Sequence, residues 1–425
     1  MKTTLICTVG GSHQPIVTAI ETLRPDYVCF VCSQDDPATG NKGSHVQVTG
    51  KGHIIKARHA DEKPTLPNIP AQVGLADGQF EVLEVSPDDF DDIYRRIIDW
   101  MTDRDAGAER LVADYTGGTK SMSAALVCAA LDHGRVELQL VTGSRANLVK
   151  VESGSEIAVP ASVAQTRFRR QLQQALSLWH THAYEQSMLL LGELSPPMAE
   201  RNRYFAARDL SRAFALWDRF DHSGAHAIIN RYRGRLGRSL GPLLGALDLL
   251  NKEVPAREPL QIFDLFRNAE RRATQGRYDD AVARLYRMLE WSAQWLLKER
   301  AGIETADIPP ERIPAGLELP KNREGRYQAG LYASWQLAAE HAGSEVAQFW
   351  NAEQNRMLDL LKIRNHSILA HGFTPLAVQE WDAFHNWVTQ SLLPMLLKIT
   401  AHSRYRLKEL PPQLPARYPG GDPAP

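Results

Sequence analysis

Two periodicities divide the chain. Over the first third, short apolar runs bounded by turn signals alternate with stretches of helical pattern, which is the mark of a parallel α/β sheet. Residues 4–9, 27–31, 80–85, 110–113 and 136–141 predict strands, and residues 15–23, 87–101 and 119–133 predict helices. A segment rich in Gly, Pro, Lys and His, residues 34–78, reads as an irregular insertion between the second and third strands. After Glu152 the strand-like character ends, with Pro160 marking the boundary, and the pattern becomes helical over 163–194, 200–220, 224–233 and 243–251. A second helical unit starts near Gln261. In residues 278–298, Val282, Leu285, Tyr286, Leu289, Ala293, Leu296 and Leu297 recur at i, i+3, i+4 and i+7, as a core helix requires. A loop over 307–320 precedes helices at 328–342, 355–372 and 378–399, and the Pro- and Gly-rich tail from Leu410 reads as disordered. The fold class is α/β plus all-α, with a Rossmann-like domain first; no internal repeat stands out.

Length and charge narrow the function. At 425 residues the chain is too long for one ordinary core, and 43% hydrophobic with 23% charged residues describes a globular protein. A net charge of -1 provides no global basic field, so any nucleic-acid contact must come from local patches. Arg231, Arg233, Arg235 and Arg238 form one such cluster, either a solvated loop or a contact to RNA or a partner subunit. No apolar run reaches the roughly 18 residues of a membrane span. Met1-Lys2-Thr3 leads directly into a strand pattern instead of a signal peptide, so a cytoplasmic protein without membrane contact is expected. Cys29 and Cys32 have CxxC spacing but sit in the apolar run YVCFVC, where positions three apart on a strand face opposite ways. With no second Cys or His pair beside them they read as core, and no metal is expected.

Two loops stand at the carboxyl ends of predicted strands, where open α/β sheets bind ligands. They are Thr8-Val9-Gly10-Gly11-Ser12 and Asp114-Tyr115-Thr116-Gly117-Gly118-Thr119-Lys120-Ser121-Met122. Paired glycines admit close backbone approach, hydroxyls can donate hydrogen bonds, and a helix begins with its amides facing outward, an arrangement suited to phosphate. Neither is a standard fingerprint: a P-loop needs glycines where Asp114 and Thr119 stand, and the first loop lacks GxGxxG spacing. Tight turns with ordinary helix caps are the alternative reading.

The most unusual helix is 355–372, NRMLDLLKIRNHSILAHG. At about 100° per residue, Met357, Leu360, Leu361 and Ile368 form an apolar stripe, and Arg364 and His371 fall on the same stripe, about 10 Å apart along the axis. Asn365 and His366 lie close by, and Gly372 and Pro375 end the helix. A buried Arg and a hydrogen-bonded core His would fit this pattern. So would a permanent cation and an imidazole that titrates near neutral pH, presented together for phosphodiester chemistry.

Three stretches carry a family resemblance. DYTGGTKSMSAAL closely resembles the D-x-T-G-G-T-K-x-M segment of CARF domains, the Rossmann-like sensors of type III CRISPR accessory proteins. AERRATQGRYDDAVARLYRMLEWSAQ resembles the opening helices of the HEPN portion of a CARF-HEPN subfamily, and Arg364, six residues, then His371 resembles the R-x4-6-H signature of HEPN ribonucleases. The three occur in the family's order and together identify the chain as resembling a CARF-HEPN ribonuclease. The resemblance implies a CARF domain over 1–158, a helical linker over 159–258, a HEPN domain over 259–408 and a tail over 409–425. It implies a homodimer whose paired CARF domains bind cyclic tetra- or hexa-adenylate through Gly10, Gly11, Ser12, Thr116, Gly117, Gly118, Thr119 and Lys120. Ser33, Gln34 and Arg145 are added on position alone. It further implies metal-independent cleavage of single-stranded RNA by Arg364 and His371, with Asn365 and His366 in support, leaving 2′,3′-cyclic phosphate and 5′-hydroxyl ends. No cofactor is expected beyond the activating ring. Two other classes fit the same residues: a ligand-binding regulator without nuclease activity, and a Rossmann-type enzyme acting on a small nucleotide at the Gly10 and Lys120 loops.

Overall fold

The computed structural model of the chain describes residues 2–37, 40, 42–50, 67–104, 109–143, 155–234, 236, 240–370, 372–402 and 404–420. The chain divides into two compact units, Met1–Arg167 and Phe168–Pro425.

The first unit runs β1 (Thr3–Val9), α1 (Gln14–Leu23), β2 (Tyr27–Ser33), α2 (Val46–Thr49), α3 (Ile69–Val73), β3 (Phe80–Val85), α4 (Phe90–Arg104), β4 (Arg110–Asp114), α5 (Lys120–His133), β5 (Glu137–Thr142) and β6 (Ile157–Ala161). The strands form one sheet in the order β3-β2-β1-β4-β5-β6, parallel from β3 to β5. Ile6, Cys29 and Val31 face α4 and α5, whereas Leu5, Cys7 and Cys32 face α1 and α3. Cys29 and Cys32 therefore pack on opposite faces, as expected of neighbours three apart, and burial pushes the Cys32 thiol up to about 12.

β6 corrects the expectation that strand structure stops after Glu152 at a Pro160 boundary. It pairs antiparallel with β5, and Pro160, opposite Gln139, lies inside it. An edge strand tolerates proline because one row of its backbone groups has no ladder partner, and its half-exposed side chains show no clean alternation.

The second unit is entered within α6 (Ala164–Ser177) and continues through α7 (Tyr184–Gly192), α8 (Arg201–Asp218), α9 (His222–Ile229), α10 (Gly241–Leu250), α11 (Arg257–Thr274), α12 (Tyr278–Ala301), α13 (Leu331–His341), α14 (Ser344–His366), α15 (Val378–Trp387) and α16 (Leu393–Thr400). One apolar core runs from Phe168 to Leu414, with Trp179, Trp217, Trp295 and Trp335 fully buried. The apolar stripe predicted over 278–298 is the inner face of α12, where Val282, Leu285, Leu289, Ala293, Leu296 and Leu297 are buried. The single helix predicted over 163–194 is instead α6 and α7, separated at His182, which takes a left-handed φ of 55°. Pro394 leaves a second mark. It has no N–H to give and its ring would crowd the preceding turn, so residues Val388–Leu392 widen into a π turn between α15 and α16.

The tail is a further correction: through Gly420 it is ordered against the helices. Leu414 is buried, Gln413 accepts from Arg271 at 2.6 Å and donates to the Arg267 carbonyl at 3.0 Å, and Tyr184 donates to the Pro415 carbonyl at 2.8 Å. Tyr418 meets Trp179 edge-on. Proline and glycine reduce local structure but do not prevent docking onto a surface formed by residues far away in sequence.

Candidate functional site

β1 and β4 are neighbours in the sheet, yet the chain leaves β1 toward β2 and β3 before returning to β4. Their carboxyl ends therefore flank a reversal of strand order, the place where open α/β sheets form a crevice. A cleft of about 320 Å³ lies there, lined in part by Gly10, Gly11, Ser33, Lys42, Ser44, Gln47, Gly118 and Thr119.

The two loops touch backbone to backbone, which explains their glycines. A Cβ at Gly10 would sit 2.7 Å from the Gly118 amide nitrogen, one at Gly117 would sit 2.2 Å from the Thr8 carbonyl, and Gly118 holds φ at 79°. The hydroxyls expected to reach a ligand are used internally. Thr8 and Ser123 donate to the Gly117 carbonyl, each at 2.7 Å, and the Thr116 hydroxyl accepts from the Val141 amide at 2.7 Å. Thr119 caps α5 by accepting from the Met122 amide and donates to the Pro87 carbonyl at 2.6 Å. What remains for an anion is the amide-lined start of α5 and the exposed Lys120 at its first position. Gly11 and Ser12 are exposed at the end of β1. Asp114 lies buried behind the loop, accepting from the Thr116 amide and the Gln139 side chain; burial pushes its carboxyl up against these bonds.

Ser33 lines the cleft, whereas Gln34 is outside its wall, its amide donating to the Val85 carbonyl. Arg145 lies outside the described residues. Apart from Ser33, the wall opposite the glycines comes from residues that pattern reading missed. Ser33 and Ser44 exchange amide-to-hydroxyl bonds of 2.8 Å, and Gln47 donates to the Gly10 carbonyl. Asp35 fixes the turn by accepting from Lys42 at 2.7 Å and from the Gly43 amide at 2.8 Å. The only sequence signal for this wall was the Gly, Pro, Lys and His content of its segment.

In the helical unit, α14 ends at His366 and not at Gly372. Ser367 turns extended, its amide closes onto the Arg364 carbonyl at 3.0 Å, and it pairs with Thr374 in an isolated bridge. Met357, Leu360 and Leu361 are buried as predicted, but Ile368 lies past the helix end and is 56% exposed. Gly372 acts by close approach instead of as a helix stop: its amide donates to the Ser367 carbonyl at 3.1 Å, and a Cβ there would fall 1.8 Å from the His366 carbonyl.

Arg364 lies in the last turn of α14, its guanidinium 4.4 Å from the centre of the Tyr286 ring and within 3.3 Å of the Asn365 side-chain oxygen. His366 is exposed and donates from Nδ1 to the Lys362 carbonyl at 2.7 Å, which leaves Nε2 as the nitrogen facing outward. His371 lies outside the described residues. Tyr286, on α12, was read only as a core position, yet it carries the Arg364 guanidinium. Asp279, in the first turn of the same helix, accepts from the Leu376 amide at 3.0 Å and ties the loop after α14 to α12. Of the basic cluster in the middle region, Arg233 forms a two-pronged pair with Asp248 and Arg231 lies 3.8 Å from Asp209, while Arg235 and Arg238 lie outside the described residues.

Comparison with known proteins adds three findings. Residues 251–393 match the family model described as the Csm6 HEPN domain, a span that contains Tyr286, Arg364 and His371. No curated protein matches the chain. Among solved structures, Enterococcus italicus Csm6 bound to cyclic hexa-2′-fluoro-hexa-dAMP aligns with a TM-score of 0.51 at 14% identity, over 96% of each chain. Can2 from Sulfobacillus thermosulfidooxidans, solved with cyclic tetra-adenylate, aligns with a TM-score of 0.24 at 12% identity, over 56% of this chain and 68% of that one. Residues 251–393 thus match a Csm6 HEPN domain, and the chain shares the Csm6 fold, an α/β sheet unit followed by helices.

Proposed function

We propose that the protein is an endoribonuclease of type III CRISPR defence, that it cleaves single-stranded RNA, and that cyclic oligoadenylate bound by paired CARF units activates it. The observation that carries this reading is the placement of Arg364 and His371 inside the span matched by the Csm6 HEPN model. RNA brings its own nucleophile, the 2′-hydroxyl, so a base that deprotonates it and a cation that steadies the phosphorane suffice without a metal. His371 is the general base or acid and Arg364 the phosphate clamp, with Asn365 and His366 in support. The products are a 2′,3′-cyclic phosphate and a 5′-hydroxyl end.

One Arg/His set is sparse for both proton transfers, and the surface around it favours a second copy. Ile368, Leu369 and Phe373, beside Arg364, are 56%, 53% and 93% exposed, an apolar patch suited to a two-fold contact between identical loops. In the first unit, Gly10, Gly11, Gly118 and Thr119 line the switch-point cleft, which supports their ring-binding role; Ser12, Thr116, Gly117 and Lys120 are assigned to it with them as members of the same two loops. The backbone amides and Lys120 would take the ring phosphates, with the threonine hydroxyls holding the loops in shape. The test is incubation with labelled single-stranded RNA in EDTA, with cyclic tetra- and hexa-adenylate compared side by side. Cleavage stimulated by one ring and lost in Arg364→Ala supports the reading. RNA left intact with both rings, or cleaved equally by Arg364→Ala, overturns it.

A further inference from the structure

The RRATQGRYDD stretch has a second consequence. Gly276 closes the turn between α11 and α12 with φ 71°, and the Arg277 amide bonds back to the Arg272 carbonyl at 3.0 Å, which brings Arg272 and Arg277 to one side. Together with Arg219, Arg284, Asn268 and Gln275 they line a pocket of about 400 Å³ within the helical unit.

Its charge is uneven. Four guanidinium groups, of Arg219, Arg272, Arg277 and Arg284, line it with two carboxylates, of Glu185 and Asp218; Arg271, Asp264 and Asp280 pair with members of this set from outside the lining. Asp218 alone accepts from Asn268, Arg271 and Arg272, so the pairing is shared and not one to one. The Nε of Arg272 is buried with no acceptor among the described residues, and burial followed by repulsion from Arg284 and Arg277 lowers this guanidinium to about 10. Arg272 stays charged at neutral pH. Two residues of the wall, His182 and Phe220, hold left-handed φ values of 55° and 64°, a cost usually borne where the surroundings must fix a particular shape.

We propose that this pocket is an anion site, separate from the cleft of the first unit, that takes the phosphate of a small nucleotide. Guanidinium groups suit phosphate because their N–H groups match its oxygens in pairs. The volume exceeds that of a bare phosphate, and the Phe220 ring on the wall offers a surface for a base or sugar.

Calorimetric titration of the full chain with AMP, inorganic phosphate and adenosine at matched ionic strength tests this. The Lys120→Ala protein serves throughout, so that the cleft of the first unit contributes least. The proposal expects saturable binding of AMP or of phosphate, at about one per chain, with adenosine silent. Binding of AMP tighter than phosphate assigns a nucleotide, and the reverse assigns free phosphate. Arg277→Gln, at the exposed mouth, and Arg272→Gln should each weaken binding at least tenfold, whereas Arg95→Gln in the first unit should not. Arg277→Gln keeps the test sound if loss of the Asp218 pair unfolds the Arg272 variant. No saturable binding of either anion, or binding equally strong in Arg277→Gln, overturns the proposal.

Discussion

At the scale of single residues, the helical unit places severe demands on Gly372. A Cβ there would overlap the His366 carbonyl at 1.8 Å, and the atom in the way is backbone, so a side chain cannot be relieved by a rotamer change. Gly372→Ala must displace the loop that leaves α14. RNA cleavage should fall at least a hundredfold, while binding of the activating ring, measured by calorimetry, stays within about twofold of the parent. Arg364→Ala should give the same split with the fold intact, since removal of one well-placed donor commonly costs about 10²–10³ in rate.

His182 makes a separate residue-level prediction. Tyr184 gives its proton to the Pro415 carbonyl, so the 2.9 Å bond between Tyr184 and His182 requires Nδ1–H as donor. Burial, with the charges of Arg271 and Arg272, lowers His182 to about 4. Between that value and the unfolded value near 6.5, the unfolded chain binds the extra proton. The stability due to neutral His182 is therefore complete above about pH 6.5 and is lost as pH falls toward 4, by up to about 3 kcal/mol. Melting followed from pH 7.5 to 5 should show a smaller drop in Tm for His182→Gln than for the parent.

At the scale of elements, what could be read from sequence followed burial. β1, β2 and β4 are buried along almost their whole length because helices cover both sheet faces, so their runs stand out against the loops. β6 is half exposed and contains Pro160, so it carried neither signal. The end of α14 was misplaced by six residues because Ile368 and His371 continue a helical spacing that the Ser367–Thr374 bridge overrides. The glycine loops were legible as a pair at adjacent strand ends because their spacing is local. The opposite wall, from Lys42 to Gln47, was not, because it reaches Gly10 only through the fold of the intervening chain. The tail failed for the same reason: its partners Arg271, Tyr184 and Trp179 lie more than a hundred residues away. A docked tail should contribute stability, and Leu414, buried in the core, measures it. Leu414→Ala should cost about 2–4 kcal/mol in urea unfolding. A cost below about 0.5 kcal/mol would mean that the tail does not hold to the helices.

At the scale of the whole molecule, the proposed activity couples a cleft in one unit to a helix end in the other, and coupling of that kind is reciprocal. Its two halves can be separated by substitution. Lys120 sits at the first position of α5 with its ammonium exposed, and the threonines around it are already bonded, so it supplies the loop's free cation without bearing on loop shape. Lys120→Ala should therefore raise the ring concentration for half-maximal cleavage at least tenfold, with cleavage at saturating ring within about twofold of the parent. Gly10→Ala acts differently, because its Cβ would meet the Gly118 amide at 2.7 Å and part the two loops. It should abolish activation at any ring concentration. Added salt should weaken ring activation of the parent more than that of Lys120→Ala, since one phosphate contact fewer means less counterion release. If Lys120→Ala instead lowers maximal cleavage without shifting the ring requirement, the lysine acts in the chemistry, and the cleft of the first unit is an active centre in its own right.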